Sequence, residues 1–157
     1  MILKRSGLAL LILLPFAGEA SADFEVHSGE GSWIAIRGPD EDESDALLRL
    51  GCKGSGLIDT HLGGIFGIGE GKHEAASVIL SSGALTARVQ GVSIWTEDSE
   101  MTGGNELLAG LFSNDDAFRV LTSGKEITLL GGSENVERFE LGAEATAELK
   151  AFIEKCG

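Results

Sequence analysis

Val136-Glu137-Arg138-Phe139-Glu140-Leu141-Gly142 runs directly into AEATAELKAFIEKC at positions 143–156. The first part alternates apolar and polar side chains, which predicts a strand. The second part carries its apolar residues on one face of a 3.6-residue period, at positions 145, 149, 152, 153 and 156. A helix with one apolar face must pack on other elements. The tail therefore predicts a C-terminal amphipathic helix that covers a strand-rich core.

The first 22 residues have the pattern of a secretory signal peptide. Lys4 and Arg5 precede an apolar run at positions 7–17 that is too short to span a bilayer. The small residues at positions 20–22 form a cleavage site, and no cysteine follows it to carry a lipid anchor. We expect cleavage before Asp23, which leaves a single domain, residues 23–157.

The exported chain has two cysteines, Cys52 and Cys156. Cysteines in an oxidising compartment are expected to pair, so we predict a disulfide that ties the terminal helix to the end of an earlier strand. The closed loop of about 100 residues stabilises the fold by up to about 4.7 kcal/mol in the chain-entropy treatment. A catalytic thiol or a sulfur metal site is not indicated, because there is no CxxC pair and no third cysteine.

The chain is acidic, with a formal net charge of −13. Removing Lys4, Arg5 and Glu19 with the signal leaves 10 of the 12 basic and 24 of the 25 acidic residues, a charge of −14. Nucleic acid and anionic lipid surfaces are poor partners for such a chain. A cationic protein or a divalent cation is favoured electrostatically, although acidity also serves simply to keep an exported protein soluble.

Short apolar segments separated by glycine and serine turns predict a mainly β fold. We expect a small antiparallel β-sandwich or partly open barrel, with Trp33 as a core anchor, one short helix at Asn105–Phe112 and the C-terminal amphipathic helix. The strands are expected at 24–27, 32–37, 46–52, 57–62, 74–80, 84–90, 92–95, 117–121, 126–130 and 136–141.

The glycine-rich segment Gly63–Gly71 predicts a mobile or tightly turned loop. We expect Ile65, Phe66 and Ile68 at its tip, exposed to a partner. A P-loop is excluded because the template needs glycine where Phe66 stands, and the dinucleotide fingerprint fails at Lys72.

Three histidines remain after signal cleavage, and only His61 and His73 flank the same loop. Strand pairing would bring them together with Asp59 or Glu74, which is the one transition-metal hypothesis that the sequence offers. The acidic loop at positions 38–45 has alternating oxygen ligands, but an EF-hand requires glycine at its sixth position and glutamate at its twelfth. A solvated loop is therefore favoured there. No GxSxG turn occurs, and we predict neither an enzyme nor a cofactor.

Several residues along the chain fall in a recognisable order. Trp33 precedes an acidic loop and a strand that ends at Cys52, and the tail reads Phe139-x-Leu141-Gly142 before the helix that ends at Cys156. Between them lie Leu107, Leu108, Leu111 and Phe112. This order resembles the periplasmic accessory proteins associated with type VI secretion and other proteobacterial periplasmic β-sandwich proteins. The resemblance implies a periplasmic β-rich domain, and it supplies no catalytic residues.

Three hypotheses follow from the sequence. The first is an exported, non-catalytic periplasmic protein that binds another protein or an envelope component, as a secretion-system accessory would. The second is a divalent-metal-binding protein that uses His61, His73 and nearby acids. The third, more distant, is a small hydrolase.

Overall fold

Within the residues that the computed structural model describes, 23–27, 31–37, 46–132 and 135–157, nine strands form one curled antiparallel sheet and three segments are helical. The strands are β1 (Asp23–His27), β2 (Trp33–Arg37), β3 (Ala46–Gly54), β4 (Leu57–Ile65), β5 (Lys72–Ser82), β6 (Leu85–Ile94), β7 (Asn105–Phe112), β8 (Ile127–Gly131) and β9 (Asn135–Phe139). The helices are α1 (Glu97–Thr102), α2 (Asp116–Leu121) and α3 (Ala143–Cys156).

The strand order across the sheet is β1-β2-β3-β4-β7-β6-β5-β8-β9. The mainly β prediction is confirmed, and the continuous sheet corresponds to the partly open barrel among the two expected forms. Within the described range 46–132, the pairing between β6 and β7 consists of three residue pairs, Val92–Leu108, Ser93–Leu107 and Ile94–Glu106. The sheet therefore has two halves joined by a narrow seam at β6 and β7.

The core lies on the inner face of the sheet, where alternate strand residues point towards the helices. Ile34, Leu50 and Leu129 are among the fully buried side chains on this face. The helix α2 packs on β5 and β6, while α3 packs on β1 to β4. Buried residues of α3, such as Leu149, complete the same apolar cluster. The predicted C-terminal helix is thus confirmed as a cover for the strands.

Cys52 and Cys156 form the predicted disulfide, with 5.6 Å between their Cα atoms. The bond joins the last turn of α3 to the end of β3. A Cβ placed on Gly56, in the β3–β4 turn, would lie 3.3 Å from Ser113 Oγ and 3.9 Å from the Cα of Gly157. The helix end is therefore held close to the β3–β4 turn and to the end of β7.

Two predicted elements are of the wrong type, and the strands predicted separately at 84–90 and 92–95 are one strand, β6. The expected helix at Asn105–Phe112 is strand β7, which pairs with β4 from Leu57–Phe112 to Leu62–Leu107. Its buried residues alternate, so the inward series is Leu107, Ala109 and Leu111. The expected strand at 117–121 is instead helix α2, which begins where Asp115 accepts a hydrogen bond from the Ala117 amide at 2.9 Å.

Trp33 is not the expected core anchor, because its side chain is 38% exposed. Its neighbours Ile34 and Ile36 are fully buried, and strand alternation therefore directs Trp33 to the opposite face. The proposed signal segment 1–22 and the acidic loop 38–45 lie outside the described residues. In the described part of the chain, we find no helix with the length and apolar character needed to cross a membrane.

Candidate functional site

The glycine-rich loop between β4 and β5 is tightly turned across one end of the sheet. The side-chain amide of Asn105 donates to the Gly69 carbonyl oxygen at 2.7 Å, and the Trp95 amide donates to the Gly71 carbonyl oxygen at 3.0 Å. These bonds attach the loop to the start of β7 and to the end of β6. The loop is therefore fixed to the sheet near both ends of α1.

Glu74 fixes the other side of this loop. Its carboxylate accepts hydrogen bonds from the backbone amides of Glu70, Gly71 and Lys72. Hydrogen bonds from backbone amides, first that of Glu74 itself and then those of the loop, hold the pKa of this carboxyl below its ordinary value of 4.5. An ionised Glu74 thus accepts hydrogen bonds from three consecutive amides, at the end of the loop and the start of β5.

The expected exposed tip of Ile65, Phe66 and Ile68 is wrong for two of its three residues. Ile65 and Ile68 are buried, and a Cβ placed on Gly131 would lie 2.2 Å from the Cγ2 of Ile65 and 2.9 Å from that of Ile68. The absence of a side chain at Gly131 leaves the space that these two residues occupy. Phe66 alone points outward, with 43% of its surface exposed.

Helix α1 lies beside this loop and connects β6 to β7. The Ser99 hydroxyl accepts a hydrogen bond from the Thr96 amide at 3.0 Å, which caps the helix start. Gly103 ends the helix with φ +74°, and its amide donates to the Ser99 carbonyl oxygen at 2.9 Å. Both ends of this six-residue helix are thus satisfied locally.

Glu106 ties α1 to the sheet, although it is a charged residue with only 6% of its surface exposed. Its Oε1 accepts a hydrogen bond from the Thr96 hydroxyl at 3.0 Å, and its Oε2 lies 3.3 Å from His61 Nδ1. The hydrogen bond from His61 lowers the pKa of Glu106 most, burial opposes this, and the Thr96 bond and the charge of Arg49 lower the pKa further. Glu106 therefore stays ionised and holds the start of α1 on the β4–β7 strands.

Two aromatic side chains are exposed on either side of α1. Trp95 immediately precedes the helix and is 51% exposed. A Cβ placed on Gly103 would lie 3.2 Å from Phe66 Cε1, so the Phe66 ring is next to the helix end. Glu97 and Glu100 are exposed and, three residues apart, share one face of the helix. We call the exposed side chains of Phe66, Trp95, Glu97 and Glu100 the α1 surface.

The structure does not bring His61 and His73 together. His61 pairs with Leu108, Leu108 with Val92, and Val92 with Ala75, so β7 and β6 separate the two histidine-bearing strands. Three strand spacings amount to about 14 Å, which is too far for two ring nitrogens to share one metal ion. Across the described ranges, no group of three His, Cys, Asp or Glu side chains is close enough to hold a metal. The expected two-histidine site is therefore wrong.

A groove of about 440 Å³ separates α2 from α3. Phe118 and Ile153 line it, together with Arg119, Lys150 and Glu154. Asp115 also lies in its lining, so two acidic groups balance the two basic ones. Arg119 is already paired with Asp116 at 2.8 Å. The groove therefore has no net charge with which to select a ligand.

The most informative residue that sequence reasoning missed is Glu106. A lone acid in the apolar run Asn105–Phe112 is a signal for a buried, partnered carboxylate, but the helical interpretation concealed it. The strand predicted at 92–95 ends at Trp95, and the sequence pattern indicates no role for that residue. No family model, no curated protein and no solved structure matches the chain.

Proposed function

We propose that this chain is an exported, non-catalytic protein that binds another protein, and that the α1 surface is its contact region. The observation that carries the proposal is the exposure of Phe66 and Trp95 on either side of one short helix. Aromatic side chains are enriched at protein interfaces, where a few of them supply most of the binding free energy. Export to the periplasm, and a role beside a secretion system, belong to the same proposal and rest on the sequence pattern alone.

The rigid support of the α1 surface favours this assignment. Phe66 is anchored between the buried residues of its own loop, and Trp95 is bonded through its amide to Gly71. Glu106 holds the helix that separates the two rings. A surface whose backbone is already held in place loses less conformational entropy on binding than a flexible one does.

The proposal is tested by capture from a periplasmic extract with the purified exported chain. We compare wild type with the double variant Phe66→Ala/Trp95→Ala and with Phe112→Ala. Phe112 is the matched control because it is 60% exposed but lies at the far end of β7, about 20 Å along the strand from Glu106. A partner retained by wild type and by Phe112→Ala should be lost or reduced at least about tenfold in the double variant, since truncating an interface aromatic typically costs about 2 kcal/mol or more.

Unfolding midpoints in urea establish that the variants remain folded. If the folded double variant captures every partner that wild type captures, the α1 surface is not the contact region. If Phe112→Ala loses the same partners, exposed aromatic area in general is responsible and the assignment to α1 fails.

A further inference from the structure

The α1 surface combines its two exposed rings with a concentration of negative charge. The six-residue helix sequence EDSEMT contains three acidic residues and no basic one. Glu97 and Glu100 are exposed on one helix face, and the exposed Trp95 immediately precedes the helix in sequence. The chain as a whole has a net charge of −13, which adds to the negative potential at this surface.

Two basic side chains in this part of the fold, Lys72 and Arg49, interact with other acids. Lys72 Nζ contacts Glu70 Oε2, and both side chains are exposed. Arg49 lies on β3, where its charge acts on Glu106. The carboxylates of Glu97 and Glu100 are thus directed to solvent while these basic groups interact with other acids.

A surface that combines aromatic rings with carboxylates favours the binding of arginine side chains. A guanidinium group stacks on the face of Trp or Phe through cation–π attraction and donates hydrogen bonds to carboxylates. Lysine supplies the charge but not the planar stacking. Acidic and neutral segments gain neither contribution and, if acidic, are repelled.

We propose that the α1 surface binds an arginine-containing basic segment of a partner protein. This inference rests on the proposed function and adds the chemistry of the partner. The guanidinium groups lie against Phe66 and Trp95, and their charge is balanced by Glu97 and Glu100. Anionic membranes and nucleic acids are excluded as occupants by the same charge.

Deca-arginine is the probe, with deca-lysine and deca-glutamate as comparisons. The titration follows Trp95 fluorescence in the exported chain with the background substitution Trp33→Phe, so that one tryptophan reports. The decisive variants are Glu97→Gln/Glu100→Gln and the matched pair Glu144→Gln/Glu148→Gln. Both pairs remove two exposed carboxylates from a helix, but the second pair lies on α3.

We expect the α1 pair to weaken deca-arginine binding at least about tenfold and the α3 pair less than about twofold, because charges beyond the Debye length of about 8 Å are screened at physiological salt. We also expect deca-lysine to bind at least about threefold more weakly than deca-arginine, and deca-glutamate not to bind. Phe66→Ala should reduce the preference for arginine over lysine.

Equal weakening by the two glutamine pairs would overturn the inference, because binding would then follow total charge. Equal affinity for deca-arginine and deca-lysine would overturn the role of the rings. Failure of the proposed function gives a different result. In that case the folded Phe66→Ala/Trp95→Ala variant captures the same partners as wild type. Urea midpoints of both glutamine pairs separate local loss of binding from loss of fold.

Discussion

At the scale of the residue, Glu106 shows how a charged side chain is accommodated in an almost fully buried position. Two hydrogen-bonding partners, His61 and Thr96, come from different elements, and their combined effect outweighs the desolvation that would raise the carboxyl pKa. The pKa of Glu106 is therefore lower in the folded chain than in the unfolded chain. Its contribution to stability is fully present above the ordinary pKa of 4.5 and is lost as the pH falls through the folded-state value.

Glu106→Gln tests this arrangement. We expect the substitution to lower the free energy of unfolding by about 1–2 kcal/mol at about pH 6, because hydrogen bonds to a charged acceptor are stronger than those to a neutral one. The deficit should shrink as the pH falls below the ordinary carboxyl pKa of 4.5 towards about pH 3.5, because the unfolded wild-type chain then takes up a proton more readily than the folded chain does. Urea unfolding at the two pH values measures the difference in unfolding free energy between Glu106→Gln and wild type.

The exposed Glu126→Gln is the control, and its free energy of unfolding should stay within about 0.5 kcal/mol of wild type at both pH values. A Glu106→Gln deficit that does not depend on pH would show that the carboxylate charge is not what stabilises this position.

Gly132 lies where its backbone closely approaches the backbone of the β4–β5 loop. Its φ is +68°, and a Cβ there would lie 2.6 Å from the Gly67 carbonyl oxygen. Gly124 has a nearly identical φ of +67° with no heavy atom within 4 Å of such a Cβ. We expect Gly124→Ala to cost about 1–2 kcal/mol from the left-handed backbone alone, and Gly132→Ala about 1–3 kcal/mol more from the contact with the loop.

Unfolding midpoints in urea for the two alanine variants give this difference directly. If Gly124→Ala and Gly132→Ala destabilise equally, the loop moves aside freely and is not held against β8.

Residue positions of this kind were only partly predictable from the sequence. The pairing of Cys52 with Cys156 followed from the number of cysteines and the expected oxidising compartment. The burial of Ile65 and Ile68 did not follow, because it depends on Gly131, which is more than 60 residues away along the chain. Local composition correctly predicted a turn, but it contains no information on what the turn packs against.

At the scale of the element, α3 behaves as its periodicity predicts and β7 does not. The residues of α3 that face the core are spaced for a helix and for no other element. Asn105–Phe112 contains apolar residues at both helical and alternating spacings, and pairing with β4 on one side and β6 on the other selects the strand. Short apolar runs are ambiguous for this reason, and only tertiary contacts resolve them.

Leu149→Ala tests the contribution of α3 to the core. Leu149 is fully buried in the apolar cluster, so its truncation should cost about 2–5 kcal/mol of unfolding free energy. Lys150→Ala, next in sequence but exposed, should change it by less than about 0.5 kcal/mol. Thermal and urea unfolding measure both, and equal effects would mean that α3 does not complete the core.

At the scale of the whole molecule, the disulfide joins residues 104 positions apart. It connects α3, which follows the edge strand β9, to β3 in the other half of the sheet. The mainly β class, the terminal helix and this cross-link were all predictable from the sequence. The strand order was not, because the insertion of β7 between β4 and β6 leaves no local pattern.

Cys52→Ala/Cys156→Ala tests the cross-link. Opening a loop of this length should lower the free energy of unfolding by about 2–5 kcal/mol. Wild type reduced with dithiothreitol should have the same urea midpoint as the double variant. If the double variant is as stable as oxidised wild type, packing alone holds α3 in place.

The narrow seam between β6 and β7 also determines how the two helices α2 and α3 are placed relative to each other. Helix α2 packs on one side of the seam and α3 packs on the other. Three residue pairs join the two halves at this seam within the described range 46–132, and the β4–β5 loop packed against Gly131 joins them a second time. The groove between α2 and α3 lies across this seam, so its width is set by the angle at which the two halves of the sheet meet.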